Sequence, residues 1–454
     1  MNPSIKHTTA LALLIAVLVT TGFGCKAPSK AVQERTQPVT LEYWRVWDDA
    51  DSFAGIIADY QTLHPNVKIN YRKFRYEEYE QQLLEAFAED RGPDLFSIPE
   101  SWLREYQPKL TPMPAKITMA TQRIKGTIKK EQVFELETTP TPNLRQIKDK
   151  FPDTVVTDSI IDDVVYGLPL SVDSLVMLYN RDLFNAANIS QPPATWDEFS
   201  NVVTKLTRYD SKGAVVQSGA AIGTGVNINT SADLLSVLMM QNGATMTTPQ
   251  GSPTFFASKN GQNPGSQALR FYRDFSSPTK NVYSWSTDQP NALDAFMAGK
   301  TAIAFAYNYN LPLIRARAPR VQIGIAPLPQ ISPERPTNLA NYWLEVTSKK
   351  TKYPNEAWDF ILFATTRDAE AKKFLEITKR PAALKTLIAA QSEDEELHAA
   401  STQTLTARNW YIGKDALTVD AALKTMLDQL TNSMTDKEDE QIIGTAIQKI
   451  NQTL

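Results

Sequence analysis

Two hydrophobic periods alternate in the residues that follow position 38, and this alternation constrains the fold of the chain. Apolar residues recur at every second position over 39–43 and 67–71, which is the spacing of a half-buried strand. They recur at helical spacing over 53–60 and 76–87, and a short apolar run follows at 95–98. The resulting order, β-α-β-α-β, predicts a mostly parallel sheet with helices on its faces.

The segments directly after these strands are the first candidates for a binding site. Ligands of open α/β sheets lie beyond the carboxyl ends of the strands. Aromatic residues recur at all three ends, and an aspartate stands beside the first of them. The candidates from this argument are Trp47, Asp48, Tyr76 and Trp102. Each aromatic ring either contacts a ligand or packs in the core.

Length and composition indicate a large protein with two lobes. The 454 residues exceed the ~250–300 at which single cores usually divide. Lysine and arginine number 47 against 50 acidic residues, so no basic excess points to a nucleic-acid partner. A single cysteine provides no disulfide, and three histidines leave little for a His/Cys zinc site or a Ser-His-Asp triad. We therefore expect no metal and no cofactor.

The N-terminus has the features of an export signal that ends in a lipid-attachment cysteine. Lys6 precedes an apolar run over 10–19, about half the ~20 residues that a membrane-spanning helix needs. Cys25 follows the small residue Gly24, and a thiol at the first mature position can carry acyl chains. We predict a lipoprotein signal peptide over 1–24, and a lipid anchor with a flexible linker over 25–38. The alternative is an ordinary signal peptide beside an unrelated cysteine.

Residues 103–163 have no sustained hydrophobic period and contain several prolines and charges. We predict a loop-rich insertion there, with one or two short helices.

The stretch that follows has clearer signals of secondary structure. It contains an apolar strand at 175–179, a stiff Pro192-Pro193 turn, and a capping box in which Thr195 stands three residues before Glu198 at the start of a helix.

The whole stretch from Tyr166 to Phe199, YGLPLSVDSLVMLYNRDLFNAANISQPPATWDEF, resembles the family 1 extracellular solute-binding proteins of ABC importers, the group that includes maltose-binding protein. The opening LEYWRVWDD resembles the start of the same family. Later family motifs follow in order: GPDLF at 92–96, QNG at 241–243, AFMAGKTAIAF at 295–305, GIAPLP at 324–329, NEAWDFI at 355–361 and KRPA at 379–382. The resemblance covers nearly the full chain after the export signal.

The resemblance implies a type II periplasmic-binding-protein-like fold, in which two α/β lobes, each with a mostly parallel sheet flanked by helices, are joined by a multi-strand hinge. The implied first lobe is 39–172 plus 302–345, and the second is 173–301 plus 346–454. The implied function is capture of a sugar or oligosaccharide between closing lobes and delivery to the transmembrane subunits of an ABC permease. It also implies a monomer held at the outer face of the cytoplasmic membrane by its lipid alone, without enzymatic activity.

A sugar site combines aromatic platforms with polar side chains that bind hydroxyl groups. The resemblance places Asp173 at an acidic position that lines the cleft and Arg380 in a cleft-facing turn. The tripeptide at 307–309 replaces a glycine-rich segment of the family, and the tripeptide at 341–343 replaces glycines before the last hinge. The further ligand-binding candidates are Asp173, Trp285, Asn308, Tyr309, Trp343 and Arg380.

The sequence leaves other classes of function open. A surface polysaccharide-processing enzyme needs two carboxylates separated across a cleft, whereas the adjacent pairs Asp48-Asp49 and Asp162-Asp163 are typical of solvated charge. A sensor or adhesin built on the same binding fold is equally compatible with the motifs. The aromatic residues favour a neutral solute, whereas convergence of Arg45, Arg75 and Arg380 on the cleft would favour an anionic one.

Overall fold

The three N-terminal strands form the parallel sheet that the sequence predicts. The structure is a computed structural model that describes residues 30–127, 130–258 and 261–454. Strand Val39–Arg45 runs parallel to both Val67–Lys73 and Leu95–Pro99. Helices Asp51–Leu63 and Tyr76–Ala88 connect these strands. The β-α-β-α-β order is therefore confirmed.

Strand Ala340–Ser348 completes this sheet from a distant part of the chain. It runs antiparallel to Leu95–Pro99 and also pairs with three short strands, Leu110–Thr111, Gly167–Leu168 and Val172–Ser174. The sheet has seven strands in all. Its assembly from both ends of the chain makes the first lobe discontinuous in sequence.

A second sheet is built around strand Val176–Asn180. Strands Ile303–Ala306 and Ile323–Ala326 flank it, and both run antiparallel to it. The sequence predicted a mostly parallel sheet in each lobe. In this sheet the two outer strands share one direction and the central strand runs against both.

Two large hydrophobic cores surround these sheets and define the two lobes. The core of the first lobe contains apolar residues from 39 to 172, from 340 to 388 and at 407. The core of the second lobe contains residues from 175 to 339 and from 419 to 450. The chain therefore passes from the first lobe to the second between Val172 and Leu175, and returns between Leu339 and Ala340.

This division differs from the predicted boundaries in two segments. Residues 302–339 were assigned to the first lobe, but strand Ile303–Ala306 pairs with the second sheet and its side chains are fully buried there. Residues 346–391 were assigned to the second lobe, but helices Pro354–Thr366 and Asp368–Thr378 pack in the first core. Both segments are amphipathic α/β sequence, so local pattern alone does not decide which sheet they join.

The other elements can be grouped by the lobe that they join. The remaining helical segments of the first lobe are Glu100–Trp102, Leu103–Tyr106, Gln107–Lys109, Leu144–Lys150, Asp153–Ser159 and Lys385–Gln391, and its small strand pair is Ile160–Ile161 with Val164–Val165. The helical segments of the second lobe are Arg181–Ala186, Trp196–Leu206, Ser231–Gln241, Pro264–Asp274, Ala292–Met297, Asn308–Asn310, Leu311–Arg317, His398–Gln403, Thr404–Thr406, Ala416–Thr431 and Asp436–Asn451, and its small strand pair is Arg208–Tyr209 with Val215–Gln217.

The segment predicted as a loop-rich insertion contains a long hairpin. Strands Lys116–Lys125 and Glu131–Pro140 pair antiparallel over ten positions each. One or two short helices were expected in 103–163, and the segment contains three, Leu103–Tyr106, Leu144–Lys150 and Asp153–Ser159. The hairpin was missed because only its base is buried, so the alternation of apolar and polar residues fades toward the charged tip.

The predicted capping box is present at the start of helix Trp196–Leu206. The Thr195 side chain accepts a hydrogen bond from the Glu198 backbone N–H at 3.2 Å, and Glu198 Oε2 accepts one from the Thr195 backbone N–H at 3.3 Å. These bonds satisfy two N–H groups that a helix start otherwise leaves unpaired. The helix begins where the sequence predicts.

The predicted linker over 25–38 includes a short helix, Lys30–Arg35, whose last residue contacts the first lobe. Arg35 Nη1 lies 3.2 Å from Glu356 Oε1, so this part of the linker is held against the lobe. The predicted signal peptide over 1–24 and Cys25 lie outside the described residues. Among the helices of the described ranges, none has the length and apolar character that crossing a membrane requires.

Candidate functional site

A cavity of about 790 Å³ lies between the two lobes. Its wall includes Trp102 and Tyr342, which pack in the first core, and Tyr307 and Val419, which pack in the second. Small-molecule sites in proteins have volumes of roughly 300–1,000 Å³. The cavity is therefore the candidate functional site.

The three aromatic residues predicted from the strand ends all lie on the wall of this cavity. Trp47 follows strand Val39–Arg45, Tyr76 begins the helix after the second strand, and Trp102 ends the turn after the third. Parallel strands present their carboxyl ends at one edge of a sheet, and this edge faces the second lobe. The structure brings the three residues to one cavity, while contact with a ligand stays a prediction.

Four rings form a continuous aromatic wall, which we define as Trp47, Tyr76, Tyr309 and Trp343. The Trp47 ring lies nearly parallel to Tyr76, with centroids 5.3 Å apart, and perpendicular to Trp343, with centroids 6.1 Å apart. Tyr309 comes from the second lobe and stacks on Tyr307 at 5.6 Å. Trp47 and Tyr309 are each almost half exposed, so part of each ring is accessible at the cavity wall.

Asp173 lies on the strand that joins the lobes. Its Oδ2 accepts a hydrogen bond from the Tyr309 backbone N–H at 3.0 Å, and its Oδ1 accepts one from the Ser174 backbone N–H at 2.8 Å. Burial raises the pKa of Asp173 to about 7, against the lowering effect of these N–H groups and of Arg380. The carboxylate thus connects the hinge to the aromatic wall, and the residue lines the cavity as predicted.

Arg380 is held at the cavity by a buried ion-pair network. Its Nη2 lies 2.9 Å from Asp48 Oδ1, while Arg45 Nη2 lies 3.2 Å from Asp48 Oδ2 and 3.3 Å from Glu345 Oε1. Burial lowers the pKa of Arg380, and the adjacent Asp48 carboxylate opposes this effect. Two guanidinium groups therefore share one aspartate.

Asp48 and Asn308 line a smaller neighbouring cavity rather than the main one. This space has a volume of about 330 Å³, and Trp47, Tyr309 and Arg380 border both cavities. Asp48 is buried beneath Arg380. Asp48 therefore positions Arg380, and the predicted contact of Asp48 with a ligand stays a prediction.

Trp285 lies away from the cavity, which corrects the prediction made for it. Its side chain is completely buried in a small apolar cluster with Ala221, Ile228, Ala292 and Ala295. Its indole Nε1–H donates to Asn227 Oδ1 at 3.3 Å. The residue fills the space beneath helix Ala292–Met297, so it is a core residue of the second lobe.

Four carboxylates outside the predicted set also line the cavity, and we call three of them, Glu100, Asp158 and Asp233, the acidic subsite. Burial raises the pKa of Glu100 to about 8, and Asp158 and Asp233 contribute to the same rise. Burial likewise raises the pKa of Asp158 and of Asp233 to about 6. Glu100 directly follows strand Leu95–Pro99, so the strand-end argument points to it, whereas the other two lie on helices without a local sequence signal.

Further polar and aromatic groups complete the wall. Asn409, Trp410 and Tyr411 approach from the segment before helix Ala416–Thr431. Tyr307 and Tyr342 stand in the tripeptides 307–309 and 341–343, and each donates its hydroxyl to an acid of the subsite. These bulky side chains therefore form part of the cavity wall.

The three arginines that would favour an anionic solute do not meet in the cavity as unpaired charges. Arg45 is buried and paired with Asp48 and Glu345, and Arg380 is paired with Asp48. Arg75 is exposed and is not part of the cavity wall. Within the described ranges, no group of three or more His, Cys, Asp or Glu side chains has the arrangement of a metal site.

Comparison with known proteins gives a consistent result. A family model described as bacterial extracellular solute-binding protein matches residues 55–402. A Brucella abortus protein named as a binding protein is 26% identical over 237 residues, which are 50% of this chain and 53% of that protein. An uncharacterized ABC transporter extracellular-binding protein of Pyrococcus horikoshii is 21% identical over 234 residues, 49% of each chain. The chain thus spans about half the length of the curated relatives that it matches.

Solved structures share the fold over almost the whole chain. The cyclic alpha-maltosyl-1,6-maltose binding protein of Arthrobacter globiformis matches with a TM-score of 0.72 and 18% identity, covering 92% of this chain and 99% of that one. The sugar-binding protein of Xanthomonas citri matches with a TM-score of 0.70 and 18% identity, covering 91% and 98%. The mixed α/β, two-lobed architecture is thereby confirmed. Together with the family match over most of the sequence, it shows that the chain belongs to the bacterial extracellular solute-binding proteins.

Proposed function

We propose that this protein captures a sugar or oligosaccharide between its two lobes and delivers it to the transmembrane subunits of an ABC permease. The observation that carries the proposal is the aromatic wall in a cavity bordered by both lobes. Sugar rings have apolar C–H faces rimmed by hydroxyl groups, so they fit partly exposed aromatic rings flanked by carboxylates and amides. The names of the relatives and structural neighbours support the same role.

The position of the wall explains how binding and closure are coupled. Trp47, Tyr76 and Trp343 belong to the first lobe, whereas Tyr309 follows a strand of the second. A solute that contacts all four rings gains its full binding energy only when the lobes are close together. It therefore shifts the population toward the closed state, which is the form a permease recognises. This mechanism involves no covalent step and no turnover.

Thermal unfolding of residues 26–454 in the presence of candidate solutes tests the proposal. The panel contains neutral mono- and oligosaccharides, amino sugars, sugar phosphates, polyols, amino acids and polyamines. A solute at about 100 times its dissociation constant adds about 2.7 kcal/mol to the free energy of unfolding. We expect stabilisation by one saccharide class, and chromatography of the same mixture should contain no product. Stabilisation only by amino acids or other non-saccharides would contradict the sugar-binding role.

We further propose attachment to the outer face of the cytoplasmic membrane through a lipid on Cys25, as a monomer. The support is the sequence before residue 30 and the docking of Arg35 on the first lobe, which holds that lobe close to the anchor. Expression of the full chain with labelled palmitate tests this. The wild-type protein should carry the label in the membrane fraction, and Cys25→Ser should be unlabelled. Equal labelling of both proteins would exclude Cys25 as the acylated residue.

A further inference from the structure

The cavity has more acidic side chains than basic ones. Five carboxylates line it, and the two arginines on its wall are Arg104 and Arg380. Arg380 is already paired with Asp48, and Asp420 is paired with Lys424 at 2.8 Å. Within the described parts of the chain, none of Glu100, Asp158 or Asp233 has a basic group within ion-pair distance. The acidic subsite therefore faces the cavity without a paired cation among the described residues.

The carboxylates of this subsite are fixed in position through one oxygen. Asp158 Oδ2 accepts hydrogen bonds from Tyr342 Oη at 2.8 Å, from Asn409 Nδ2 at 2.9 Å and from Thr154 Oγ1 at 3.1 Å. Asp233 Oδ2 accepts one from Tyr307 Oη at 2.9 Å. No donor from the described residues reaches the Oδ1 atom of either aspartate. Each therefore offers one free oxygen in the cavity.

Glu100 is close enough to the two aspartates for their charges to raise its pKa. Its Oε2 accepts a long bond, 3.4 Å, from the Tyr342 backbone N–H, and the other backbone N–H that acts on this carboxyl within the described ranges is its own. A buried carboxylate that lacks a cation is costly, and a hydroxyl group relieves that cost less than a cation does. The described side chains do not form a metal site, so an organic ammonium group matches the subsite better than a metal ion.

We propose that the solute is a ring-bearing cation, a saccharide or cyclitol with a protonated amino group, whose ammonium lies among Glu100, Asp158 and Asp233 while its ring lies on the aromatic wall. This inference rests on the proposed sugar-binding function and specifies its substrate class. The aromatic rings contribute again, because ring faces attract ammonium groups within about 6 Å. The subsite and the wall border one cavity, so both contacts are available to one molecule.

Matched saccharides test the inference by isothermal titration calorimetry at pH 7. One set is D-glucosamine, N-acetyl-D-glucosamine and D-glucose, and the other is the β-1,4-linked disaccharides of these three sugars. Within each set the ring stays constant and only the amino group, its acetylated form or a hydroxyl group changes. We expect at least one amine to bind about tenfold or more tighter than its hydroxyl and acetyl analogues, since a charge-assisted hydrogen bond is worth roughly 1.5–3 kcal/mol.

Isosteric variants then locate the contact. Glu100→Gln and Asp158→Asn keep the shape and hydrogen-bonding capacity of the side chains but remove their charge. Each should weaken binding of the amine about tenfold and leave any binding of the neutral analogue within about threefold. Glu393→Gln and Asp288→Asn are the matched controls, because both residues are exposed and lie outside the cavity wall. Circular dichroism confirms that each variant is folded.

The outcomes separate this inference from the proposed function. Equal or tighter binding of the hydroxyl analogues would overturn the inference and leave the sugar-binding function intact. Amine binding that is unchanged in Glu100→Gln and Asp158→Asn would overturn the assigned subsite. Binding of spermidine without binding of any saccharide would overturn the requirement for a sugar ring and the proposed function with it. Failure of every saccharide and amine to bind would overturn both.

Discussion

The ring of Trp47 stacks on the ring of Tyr309 across the cleft, with centroids 6.4 Å apart and planes 18° from parallel. Trp47 belongs to the first lobe, and Tyr309 follows a strand of the second. The two lobes therefore touch through two of the rings that we assign to solute binding. Binding and lobe closure therefore involve the same aromatic residues.

Replacement of Trp47 by alanine should weaken solute binding with little change in stability. Truncation of a tryptophan at the centre of a binding site commonly costs 2 kcal/mol or more, so we expect affinity to fall by about 10- to 100-fold. The side chain is 45% exposed, so the free energy of unfolding should change by no more than about 1 kcal/mol. Calorimetry with the saccharide found by the thermal screen measures the first effect, and urea unfolding measures the second.

Tyr209→Ala is the matched control for this variant. Tyr209 is also 45% exposed and stacks on another aromatic residue, Tyr283, but it lies outside the cavity wall. Its removal should leave affinity unchanged. A Trp47→Ala protein with wild-type affinity would place the solute elsewhere in the cavity.

Neutralisation of Asp48 should destabilise the protein far more than neutralisation of its neighbour Asp49. Asp48 is buried between Arg45 and Arg380, and its loss leaves buried guanidinium charge uncompensated. Breaking a buried pair in this way costs about 3–5 kcal/mol, whereas an exposed pair is worth about 1 kcal/mol or less. Asp49 pairs with Lys73 at 2.9 Å on the surface, with 78% of its side chain exposed.

Urea unfolding of Asp48→Asn and Asp49→Asn compares the two positions directly. We expect a loss of about 3 kcal/mol for the first and less than about 1 kcal/mol for the second. The two substitutions remove the same charge from adjacent residues, so a difference reports burial and pairing alone. Equal losses would show that Asp48 is not the shared partner of the two arginines.

The acidic subsite should make the empty protein less stable as pH rises. The pKa of Asp233 is about 6 in the folded protein and about 4 in an unfolded chain. The folded state therefore holds more protons between these values, so the free energy of unfolding falls between about pH 4 and pH 6 for this group and levels off above that. Asp420 raises this pKa further, while Tyr307 and Lys424 lower it. Glu100, with a pKa of about 8, extends the loss of stability toward pH 8.

Asp233→Asn removes this contribution and provides the measurement. The stability of the variant minus that of the wild type should be greater at pH 8 than at pH 4.5, by about 1–2 kcal/mol. Asp288→Asn, an exposed position, should give the same difference at both pH values. A difference that shrinks with rising pH would mean that Asp233 is ionised at low cost in the folded protein.

The sequence predicted those parts of the site that follow from local pattern. Trp47, Tyr76 and Trp102 reach one cavity because they follow parallel strands, and the alternating periods reveal those strands. Trp285 does not follow one of these parallel strands, and its indole lies in a buried apolar cluster of the second lobe. Asp158 and Asp233 lie on helices whose packing brings them to the cavity, so no spacing in the sequence relates them. Long-range packing also decided which sheet each later strand joined.

Replacement of Asp173 by asparagine should weaken the coupling between hinge and binding site. Both carboxylate oxygens accept backbone N–H groups, from Tyr309 and from Ser174. Asparagine has only one acceptor oxygen, so one bond is lost and an amide N–H group faces another N–H. Loss of a hydrogen bond of this kind costs roughly 1 kcal/mol, and we expect affinity to fall by about three- to tenfold.

Asp182→Asn, an exposed neighbour outside the cavity, is the control. Small-angle scattering adds a direct test of closure: the solute should reduce the radius of gyration of Asp182→Asn fully, and that of Asp173→Asn only at higher solute concentration. Equal response of both variants would show that the Asp173–Tyr309 contact does not contribute to closure.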